Sequence, residues 1–487
     1  MTRTAIVVGA GPNGLAAAAR LAEHGVQVSV YEQGEHPGGA ARSADTLGPG
    51  TIVDLGAAAH PFGIGSPAFR HLDLERHGLR WLHHRYPMAH PLDTGSSVLL
   101  HPDLEQTAEE LGVDAGAWRL LHRAVAGHPL ESLQNATGPL LRIPPHPPLM
   151  AGFGARALWP AGATARLAFR TEAARALFAG SAAHSMLPLN HAFTAGFAVL
   201  FGGLGQSLGW PVAQGGTNSI INALVRHLAL AGVVIHTHSP VRDLRELPAS
   251  DAVLLDLTPR QVLELKGTGI GGRYAAHLRH WKYGPGAFKV DYLLDGPIPW
   301  RDERTAHAGT VHVGGSLAEL MDAEREVGRG RVSARPFVML AQPSAVDGSR
   351  APAGRQVIWS YAHVPNGCDA EVGPLVDRQI ERFAPGFAQR IITRVETPPR
   401  ALEDWNPNLV GGDIGGGSLR GTQQLLRPAP TLRPYRAGAP GLYICSSSTP
   451  PGGGVHGMAG WHAAHAVLRD LGIARRPTTT GETGARP

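Results

Sequence analysis

A glycine-rich turn near the start of the chain constrains the fold more than any other feature. Residues 6–8 form a fully apolar run that breaks at Gly9, which is typical of a buried parallel strand before a tight turn. Gly9, Gly11 and Gly14 then form a GxGxxG pattern that leads into an Ala-rich helix. The first glycine permits the turn, the second lets the backbone approach a pyrophosphate, and the third lets helix and strand pack closely. The pattern predicts a Rossmann-like, dinucleotide-binding α/β unit.

The residues after this helix indicate which dinucleotide is bound. A second strand, Val26 to Tyr31, ends at Glu32, whose carboxylate is placed to accept both hydroxyls of an adenosine ribose. A 2′-phosphate would be repelled there, so the pattern disfavours NADP. Gly38 and Gly39 form a second small-residue loop, followed by Arg42. This extension resembles the FAD-binding signature of flavoproteins in the glutathione-reductase and amine-oxidase superfamily.

Length and composition set the remaining limits. With 487 residues, of which 43% are apolar, the chain is expected to form two interleaved domains that share a large core. The formal charge of +5 is spread over scattered arginines, which indicates no nucleic-acid-binding face and leaves peripheral membrane contact open. Cys368 and Cys445 lie far apart, so neither a disulfide framework nor a metal site is indicated, and a cytoplasmic setting is expected. The most apolar stretch, residues 192–204, predicts a buried helix rather than a membrane span.

The order of elements predicts a discontinuous nucleotide-binding domain. Strands are expected at 233–235, 241–244 and 251–259, and again at 442–445 before a turn at 450–454 and a helix at 456–471. Between them, helical patterning at 114–126 and 163–178 predicts a helical insertion, and 288–397 is rich in strands with one helix near 374–383. We therefore assign 1–100, 205–280 and 425–473 to an FAD-binding domain and 101–204 and 281–424 to an α+β substrate domain with a mixed sheet. A disordered tail is predicted at 474–487.

Motifs along almost the whole chain resemble the carotenoid (phytoene) desaturase-like branch of FAD-dependent oxidoreductases. They are the N-terminal glycine turn and glycine pair, PVAQGGTNSI, NPNLVGGDIGGG at 406–417 and STPPGGGVHGMAG near the C-terminus. The resemblance implies non-covalent FAD held by both ends of the chain, beneath a substrate domain. The implied enzyme is a desaturase, dehydrogenase or isomerase that acts on a largely apolar, isoprenoid-like or carotenoid-like small molecule. It also implies a set of cofactor-binding residues: Gly9, Gly11, Pro12, Asn13, Gly14, Glu32, Gln33, Gly38, Gly39, Ala40, Arg42, Val241, Ser447, Gly453, Gly454 and Val455.

Within that set the resemblance implies distinct roles. Arg42 would face the phosphate or flavin region and Val241 would flank the adenine. Gly453, Gly454 and Val455 would lie near the pyrimidine edge of the flavin, where the following helix dipole stabilises negative charge. The chain departs from the pattern at 446–448. Such enzymes often have a glycine there, followed by a small or acidic residue, whereas this chain has three serines.

Dehydrogenation by a flavin needs a substrate C–H aimed at N5, exclusion of water and an acceptor for the second proton. His456, His60 and Lys289 are the candidate acceptors. Lys289 is also placed to form an ion pair with Asp291 on the same strand.

Several alternatives can be weighed from residues that are missing. A pyridine-nucleotide disulfide reductase needs a redox cysteine pair where Ala40 and Ala41 stand, and an aromatic hydroxylase would carry a GD dipeptide where the serines stand. The other GxGxxG spacings, at 267–272 and 452–457, do not directly follow a fully apolar run like residues 6–8, so no second turn for NAD(P)H is predicted. Oxygen, a quinone or another carrier is therefore expected to reoxidise the flavin. A flavin amine oxidase and a non-catalytic protein that binds FAD or an isoprenoid both stay open. The sequence makes no prediction of oligomeric state.

Overall fold

The computed structural model describes residues 2–473. The predicted disordered tail at 474–487 lies outside the described residues. Two main sheets, each with its own layer of helices, account for the architecture. Two further two-stranded ribbons pair residues 43–44 with 53–54 and residues 81–82 with 212–213.

The strands are β1 (Thr4–Val8), β2 (Gln27–Tyr31), β3 (Ser43–Ala44), β4 (Val53–Asp54), β5 (Trp81–Leu82), β6 (Tyr86–Pro91), β7 (Ser97–Leu100), β8 (Val212–Ala213), β9 (Val234–His236), β10 (Ala252–Leu255), β11 (Gly286–Leu294), β12 (Ala308–Val313), β13 (Val338–Ala341), β14 (Gln356–Val364), β15 (Ile391–Thr397) and β16 (Leu442–Ile444). The helices are α1 (Pro12–Ala22), α2 (Pro61–Gly65), α3 (Pro67–His71), α4 (Leu104–Glu110), α5 (Ala115–Gly127), α6 (Pro129–Ala136), α7 (Pro147–Ala157), α8 (Ala161–Ala168), α9 (Glu172–Ala183), α10 (Thr194–Gly205), α11 (Asn218–Leu230), α12 (Pro259–Glu264), α13 (Gly272–Arg279), α14 (Leu317–Gly328), α15 (Gly373–Phe383), α16 (Pro399–Trp405) and α17 (Met458–Asp470).

A five-stranded parallel sheet with the order β16-β10-β1-β2-β9 forms the Rossmann-like unit. Its strands come from both ends and the middle of the chain, which confirms the predicted discontinuous, Rossmann-like fold. Val8 pairs with Tyr31 of β2 and with Leu255 of β10, so these three strands end at one edge. Gly9, Glu32 and the residue after Leu255 therefore meet at that edge, where open parallel sheets bind ligands.

Helices cover this sheet because their apolar faces need burial. Leu15 and Leu21 of α1 are fully buried against it, and each such burial stabilises the fold by about 2 kcal/mol. α11 presents Ile220, Ile221 and Leu224 to the same core, as its 3.6-residue pattern predicts. α17 packs on α1, so the C-terminal helix closes the layer that the N-terminal helix begins.

A seven-stranded sheet with the order β15-β11-β14-β13-β12-β6-β7 forms the second body, and all its pairs are antiparallel except β12 with β6. This mixed sheet confirms the predicted α+β partner of the Rossmann-like unit. The strands β6 and β7, within residues 86–100, pair into this sheet rather than into the parallel one. One face of the sheet packs on α15, and the other packs on the helical insertion.

The helical insertion comprises α4 to α10. α10 covers most of the apolar stretch at 192–204 and is almost wholly buried, as predicted. The segment with helical patterning at 163–178 contains two helices, α8 and α9, because the chain leaves the helix after Ala168 and the Thr171 hydroxyl then caps α9 by accepting from Ala174 N. α7 also begins inside the Pro-rich stretch, since proline is tolerated in the first turn of a helix. No helix within residues 2–473 is both long and apolar enough to cross a membrane.

Two further predictions need correction. Residues 241–244 do not form a strand: the Asp243 carboxylate accepts from Arg245 N at 3.0 Å and so caps a short 3-10 turn. The strand-rich segment at 288–397 contains a second helix, α14, in addition to the predicted one. Ser316 and Glu319 start α14 with reciprocal side-chain-to-backbone hydrogen bonds, a capping box that the sequence contains.

Candidate functional site

The turn after β1 builds an anion site from backbone groups. Gly9 has a φ of +100°, and its N–H donates to Tyr31 O at 2.8 Å, which joins β1 and β2 at the turn. α1 begins at Pro12 with Gly11 as its N-cap, and the cap has no side chain to accept from the first-turn N–H groups. These N–H groups and the positive end of the helix dipole favour a phosphate or carboxylate at this point.

Glu32 stands at the end of the neighbouring strand with its carboxylate fixed in place. One oxygen accepts from Ala10 N and the other from Gly34 N, both at 2.8 Å. Each carboxylate oxygen keeps a second lone pair, so the group can still accept from the hydroxyls of a ligand. Glu32, the acidic residue that follows the second strand, is therefore a fixed hydrogen-bond acceptor beside the anion site.

A cleft with about 770 Å³ of empty space, part of it open to solvent, lies over this edge of the parallel sheet. It is lined by Val8, Gly9, Gly11, Tyr31, Glu32, Gln33, Gly34, His36, Gly39, Arg42, Ser239, Val241, Asp256, Leu257, Trp405, Asn406 and Asn408. Seven residues of the predicted cofactor set are among them: Gly9, Gly11, Glu32, Gln33, Gly39, Arg42 and Val241. The cleft thus brings together segments that are more than 200 positions apart in the chain.

The other predicted residues of the N-terminal region surround the cleft. Pro12, Asn13 and Gly14 form the first turn of α1, and Gly38 and Ala40 flank Gly39. Gly38 N donates to Ala10 O at 2.8 Å, so the second glycine loop lies against the first. A Cβ at Gly39 would stand 3.1 Å from the Gly11 Cα, so a side chain there would crowd the turn.

The C-terminal members of the predicted set lie in a second glycine-rich region. Ser447 follows β16, and Gly453 packs so closely on the 411–417 loop that a Cβ there would stand 3.0 Å from the Gly415 Cα. The Ser448 hydroxyl donates to Gly416 O at 2.7 Å. Two motifs singled out in the sequence, NPNLVGGDIGGG and STPPGGG, are therefore in contact.

His456 and His60 stand on either side of one close contact. A Cβ built on Gly63 would lie 3.2 Å from His60 Cβ and 3.2 Å from the Val455 carbonyl oxygen, so α2 rests on the glycine turn that precedes α17. His456 itself lies against Gly454, whose Cβ position is 3.3 Å from its Nε2. The structure thus brings Gly454, Val455 and both predicted histidines together.

The hydrogen bonds of His456 fix its tautomer. Its Nδ1 accepts from Met458 N at 3.0 Å, so in the neutral ring the proton resides on Nε2. Burial lowers the pKa of His456 to about 4, so the ring is uncharged at neutral pH. His456 is therefore a hydrogen-bond donor at Nε2 and a poor proton acceptor there.

His60 has the opposite arrangement. Its Nε2 lies 2.9 Å from Thr217 Oγ1, and that hydroxyl donates its own proton to Ala57 O at 2.6 Å. Thr217 must then accept from His60 Nε2–H, which leaves Nδ1 unprotonated. Burial lowers the pKa of His60 to about 4, with the carboxylate of Asp54 opposing the shift. Nδ1 is buried and has no hydrogen-bond partner among the residues described, so its lone pair is available.

Lys289 is buried on β11 and forms an ion pair with Asp291. Its ammonium nitrogen lies 5.9 Å from the centre of the Trp359 ring. Burial raises the pKa of Asp291 to about 6, and the neighbouring Lys289 opposes that shift. The predicted ion pair is present, and it faces the helical insertion rather than solvent.

The same face of the seven-stranded sheet carries buried imidazoles. His184 and His312 approach each other at 2.9 Å between their Nε2 atoms, and His363 Nδ1 lies 2.7 Å from Glu324 Oε1. The Phe337 ring lies between the two pairs, and its centre is 5.7 Å from the centre of the His312 ring and 5.3 Å from that of His363. Within the described part of the chain, His363 Nε2 and Glu324 Oε2 are buried without a hydrogen-bond partner. No sequence motif marks this cluster.

Three buried charged residues near these regions also lack a motif. Asp256 lines the cleft directly after β10. Arg350 is fully buried between Asp54 and Asp347. Arg427 donates to Ser447 O at 3.0 Å behind the C-terminal glycine turn, and burial lowers its pKa to about 10. Only the pairing of distant segments brings them to these positions.

Comparison with known proteins identifies an NAD(P)-binding Rossmann-like domain at residues 7–73. Over 96% of its length the chain is 27% identical to pyridine nucleotide-disulfide oxidoreductase domain-containing protein 2 of Rattus norvegicus, with 93% of that protein covered. It is 26% identical to a lycopene-forming phytoene desaturase of Pseudescherichia vulneris, over 58% of this chain and 61% of that protein.

Two solved structures show the same fold over nearly the whole chain. An oxidoreductase from Methanosarcina mazei has a TM-score of 0.63 at 17% identity, covering 96% of this chain and 100% of that one. Putrescine oxidase bound to putrescine has a TM-score of 0.59 at 16% identity, covering 97% and 100%. These likenesses show a shared fold, and the phytoene desaturase likeness spans 58% of the chain.

Proposed function

We propose that the chain is an FAD-dependent oxidoreductase that holds FAD non-covalently and takes hydride from a largely apolar organic substrate to flavin N5. The observation that carries this proposal is the single cleft lined by the glycine turn, Glu32, Arg42 and Val241. The fold likeness to other oxidoreductases supports it. The finer reading, a desaturase or dehydrogenase of an isoprenoid-like substrate, rests on the motifs and on the partial phytoene desaturase likeness.

The residues present fit the adenosine diphosphate half of the cofactor. The first turn of α1 would hold the pyrophosphate, Glu32 the ribose hydroxyls and Val241 one side of the adenine. Arg42 would balance phosphate charge. At the other end, Gly453 and Gly454 give a surface without side chains on which a flat ring can lie. Bound FAD would supply a hydride acceptor that oxygen or a quinone can reoxidise.

His60 and His456 would have different roles in proton transfer and hydrogen bonding. His60 would accept the second proton at Nδ1, because that nitrogen alone among the two histidines has a free lone pair. His456 would hold its proton at Nε2 and donate a hydrogen bond beside Gly454. General-base assistance of this kind contributes roughly 10²- to 10⁴-fold to a rate.

The substrate would lie between the helical insertion and the inner face of the seven-stranded sheet. That face combines aromatic rings with buried polar groups, including the Glu324–His363 pair. Rings favour an apolar body, and the unpartnered atoms of this pair favour one polar group on it. Burial of the whole region excludes water from the reaction.

A flavin amine oxidase is the second candidate, favoured by the buried Lys289 beside the Trp359 ring and by the likeness to putrescine oxidase. An amine would enter the same face and contact these groups. A panel of primary amines and of isoprenoid or other apolar substrates separates the two candidates, since only the true class would bleach the flavin under anaerobic conditions. Bleaching by neither class would favour a non-catalytic FAD-binding protein.

The proposal is tested first by the visible spectrum of the purified protein before and after acid precipitation. A flavin spectrum that moves wholly into the supernatant supports non-covalent FAD. A colourless protein that does not take up added FAD refutes the proposal. Colour that stays in the pellet refutes the non-covalent part.

Gly11→Ala gives a sharper test of the cleft. A Cβ at Gly11 would stand 2.5 Å from Asp256 Oδ2, so the carboxylate would be pushed into the space of the cofactor. We expect FAD content to fall at least tenfold. Gly116→Ala is the matched control, because no atom lies within 4 Å of its Cβ position and it lies in an exposed part of α5. Equal FAD content in both variants would contradict the assignment of the turn.

A further inference from the structure

Asp256 places a carboxylate at the N-terminus of α1. It directly follows β10, and its backbone N–H donates to Val8 O at 2.8 Å, which locks it beside the end of β1. Its Oδ2 accepts from Gly14 N at 3.0 Å. Asn408 Nδ2 donates to its backbone oxygen at 2.9 Å from the other side. The side chain is therefore held against the glycine turn with little freedom to move.

This position conflicts in charge with the ligand expected there. The first-turn N–H groups that receive Asp256 are the groups that would hold a pyrophosphate, which carries two negative charges. Glu32 adds another carboxylate at the same edge. An ionised Asp256 would thus both compete for the donors and repel the ligand. A protonated Asp256 would instead offer an O–H donor to a phosphate oxygen.

We propose that Asp256 binds the cofactor as a neutral carboxylic acid, donating its proton to a phosphate oxygen, and so makes FAD affinity fall as pH rises. This inference rests on the proposed function, because it takes FAD as the ligand of the cleft. No covalent change is involved. Asp256 gains or keeps one proton, and the phosphate diester accepts a hydrogen bond.

The environment of Asp256 agrees with a group that titrates near neutral pH. Burial raises its pKa to about 7, with the N–H groups of Gly14 and Gly11 opposing the shift and Glu32 adding to it. Cys445 faces it from the end of β16, and burial holds the pKa of that thiol well above its usual range, so the thiol stays neutral. A bound pyrophosphate would add negative charge and favour the protonated acid further.

The remaining charged groups that line the cleft are Arg42 and His36. Histidines in general gain positive charge below about pH 6.5, which would also favour an anion at acidic pH. Two variants separate these contributions. Asp256→Asn keeps the shape, the acceptor for Gly14 N and a permanent donor, whereas His36→Gln removes only the imidazole.

The experiment is a titration of apoprotein with FAD, followed by quenching of flavin fluorescence, at intervals from about pH 6 to about pH 8.5. The FAD pyrophosphate diester does not titrate in this range. If only protonated Asp256 permits binding, a pKa of about 7 predicts an apparent Kd that rises about 30-fold across the range. We expect Asp256→Asn to bind at least as tightly as wild type at about pH 6 and to show a nearly flat profile. We expect His36→Gln to keep the wild-type slope.

Each outcome separates this inference from the proposed function. Tight FAD binding with a flat wild-type profile, or with the same slope in Asp256→Asn, overturns the role of Asp256 and leaves the flavoprotein proposal intact. A slope lost in His36→Gln assigns it to the imidazole and overturns the role of Asp256 as well. No FAD binding at any pH overturns both. Circular dichroism and the melting temperature of Asp256→Asn confirm that a lost signal does not reflect unfolding, and ADP-ribose serves as a second probe that shares the diester and lacks the flavin.

Discussion

Replacing Arg350 with methionine tests how the two small ribbons are held to a loop of the seven-stranded sheet. Arg350 lies in the loop between β13 and β14 and is fully buried. Its guanidinium donates to Asp54 Oδ2 at 2.7 Å, to Asp347 Oδ2 at 2.9 Å and to Ala213 O at 3.0 Å. One cation therefore joins β4, β8 and the loop that carries Asp347.

The expected cost follows from what the substitution leaves behind. Removing one partner of a buried ion pair costs about 3–5 kcal/mol, because the other charge stays buried without compensation. Asp54 Oδ1 keeps donors in Ser43 Oγ and Thr217 N, both at 2.7 Å, so part of its charge remains solvated by the protein. We therefore expect Arg350→Met to lower the free energy of unfolding by about 3 kcal/mol, near the lower end of that range.

The cost also has a defined pH dependence. Asp347 is buried, which by itself raises its pKa, but hydrogen bonds from Ser349, Gly215 and Arg350 lower it below its ordinary value overall. A carboxylate with a lowered folded-state pKa stabilises the fold above its unfolded pKa, and this contribution is lost as pH falls through the folded value. The difference in the free energy of unfolding between wild type and Arg350→Met should therefore be maintained from about pH 8 down to about pH 4, the ordinary pKa of an aspartate, and should shrink as pH falls further.

The assay is the urea midpoint and melting temperature at fixed protein and FAD concentrations. Arg76→Met is the control, since Arg76 is 84% exposed in its pair with Asp73 and such pairs contribute about 0–1 kcal/mol. Adding Asp54→Asn and Asp347→Asn to Arg350→Met should recover much of the loss. A midpoint for Arg350→Met that matches Arg76→Met would refute the reasoning.

Three further predictions concern the histidines. His60→Gln retains a donor to Thr217 and removes the free Nδ1, so flavin reduction by substrate should slow by roughly 10²- to 10⁴-fold at unchanged FAD content, and an unchanged stopped-flow rate would exclude His60 as the base. His456→Ala should also slow reduction without loss of FAD, because it removes the Nε2–H beside Gly454; equal rates would return that ring to a packing role. Burial lowers the pKa values of His60, His90, His122, His456 and His462 to about 4, whereas an unfolded histidine titrates near 6.5, so stability is lost as pH falls below about 6.5. At pH 5 each of these five histidines lowers the free energy of unfolding by roughly 2 kcal/mol, so the melting temperature should fall steeply before that pH is reached. A melting temperature that stays constant from about pH 7 to about pH 5 would contradict the burial of neutral imidazoles.

The N-terminal half of the site was predictable because its signals are local. The glycines of the first turn and Glu32 lie within one βαβ segment, where spacing alone determines that they meet. Asp256 was not predictable in the same way, since it reaches the turn only through the register of β10 on β1. Arg350 stands among Ser, Ala, Pro and Gly residues with no periodic pattern, so nothing local marks it as buried.

The elements that were predicted wrongly differ from the structure because of particular side chains. Residues 241–244 were predicted as a strand, but the Asp243 carboxylate accepts from Arg245 N two positions on, and the chain bends there. The start of α14 carries Ser316 and Glu319 at capping-box spacing, a signal that is present in the sequence. The proposed substrate face could not be assigned from sequence, because His184 follows α9 whereas His312 and His363 lie on two separate strands.

The pairing of β16 with β10 has a consequence for biosynthesis. During translation β1, α1 and β2 leave the ribosome early, yet the parallel sheet lacks its last strand until residue 444 has emerged. Until then β10 exposes an open, apolar edge of Ala252 to Leu255, the kind of edge that recruits other chains. The sheet that carries the candidate site is therefore completed only after β16, near the end of the described residues, has been synthesised.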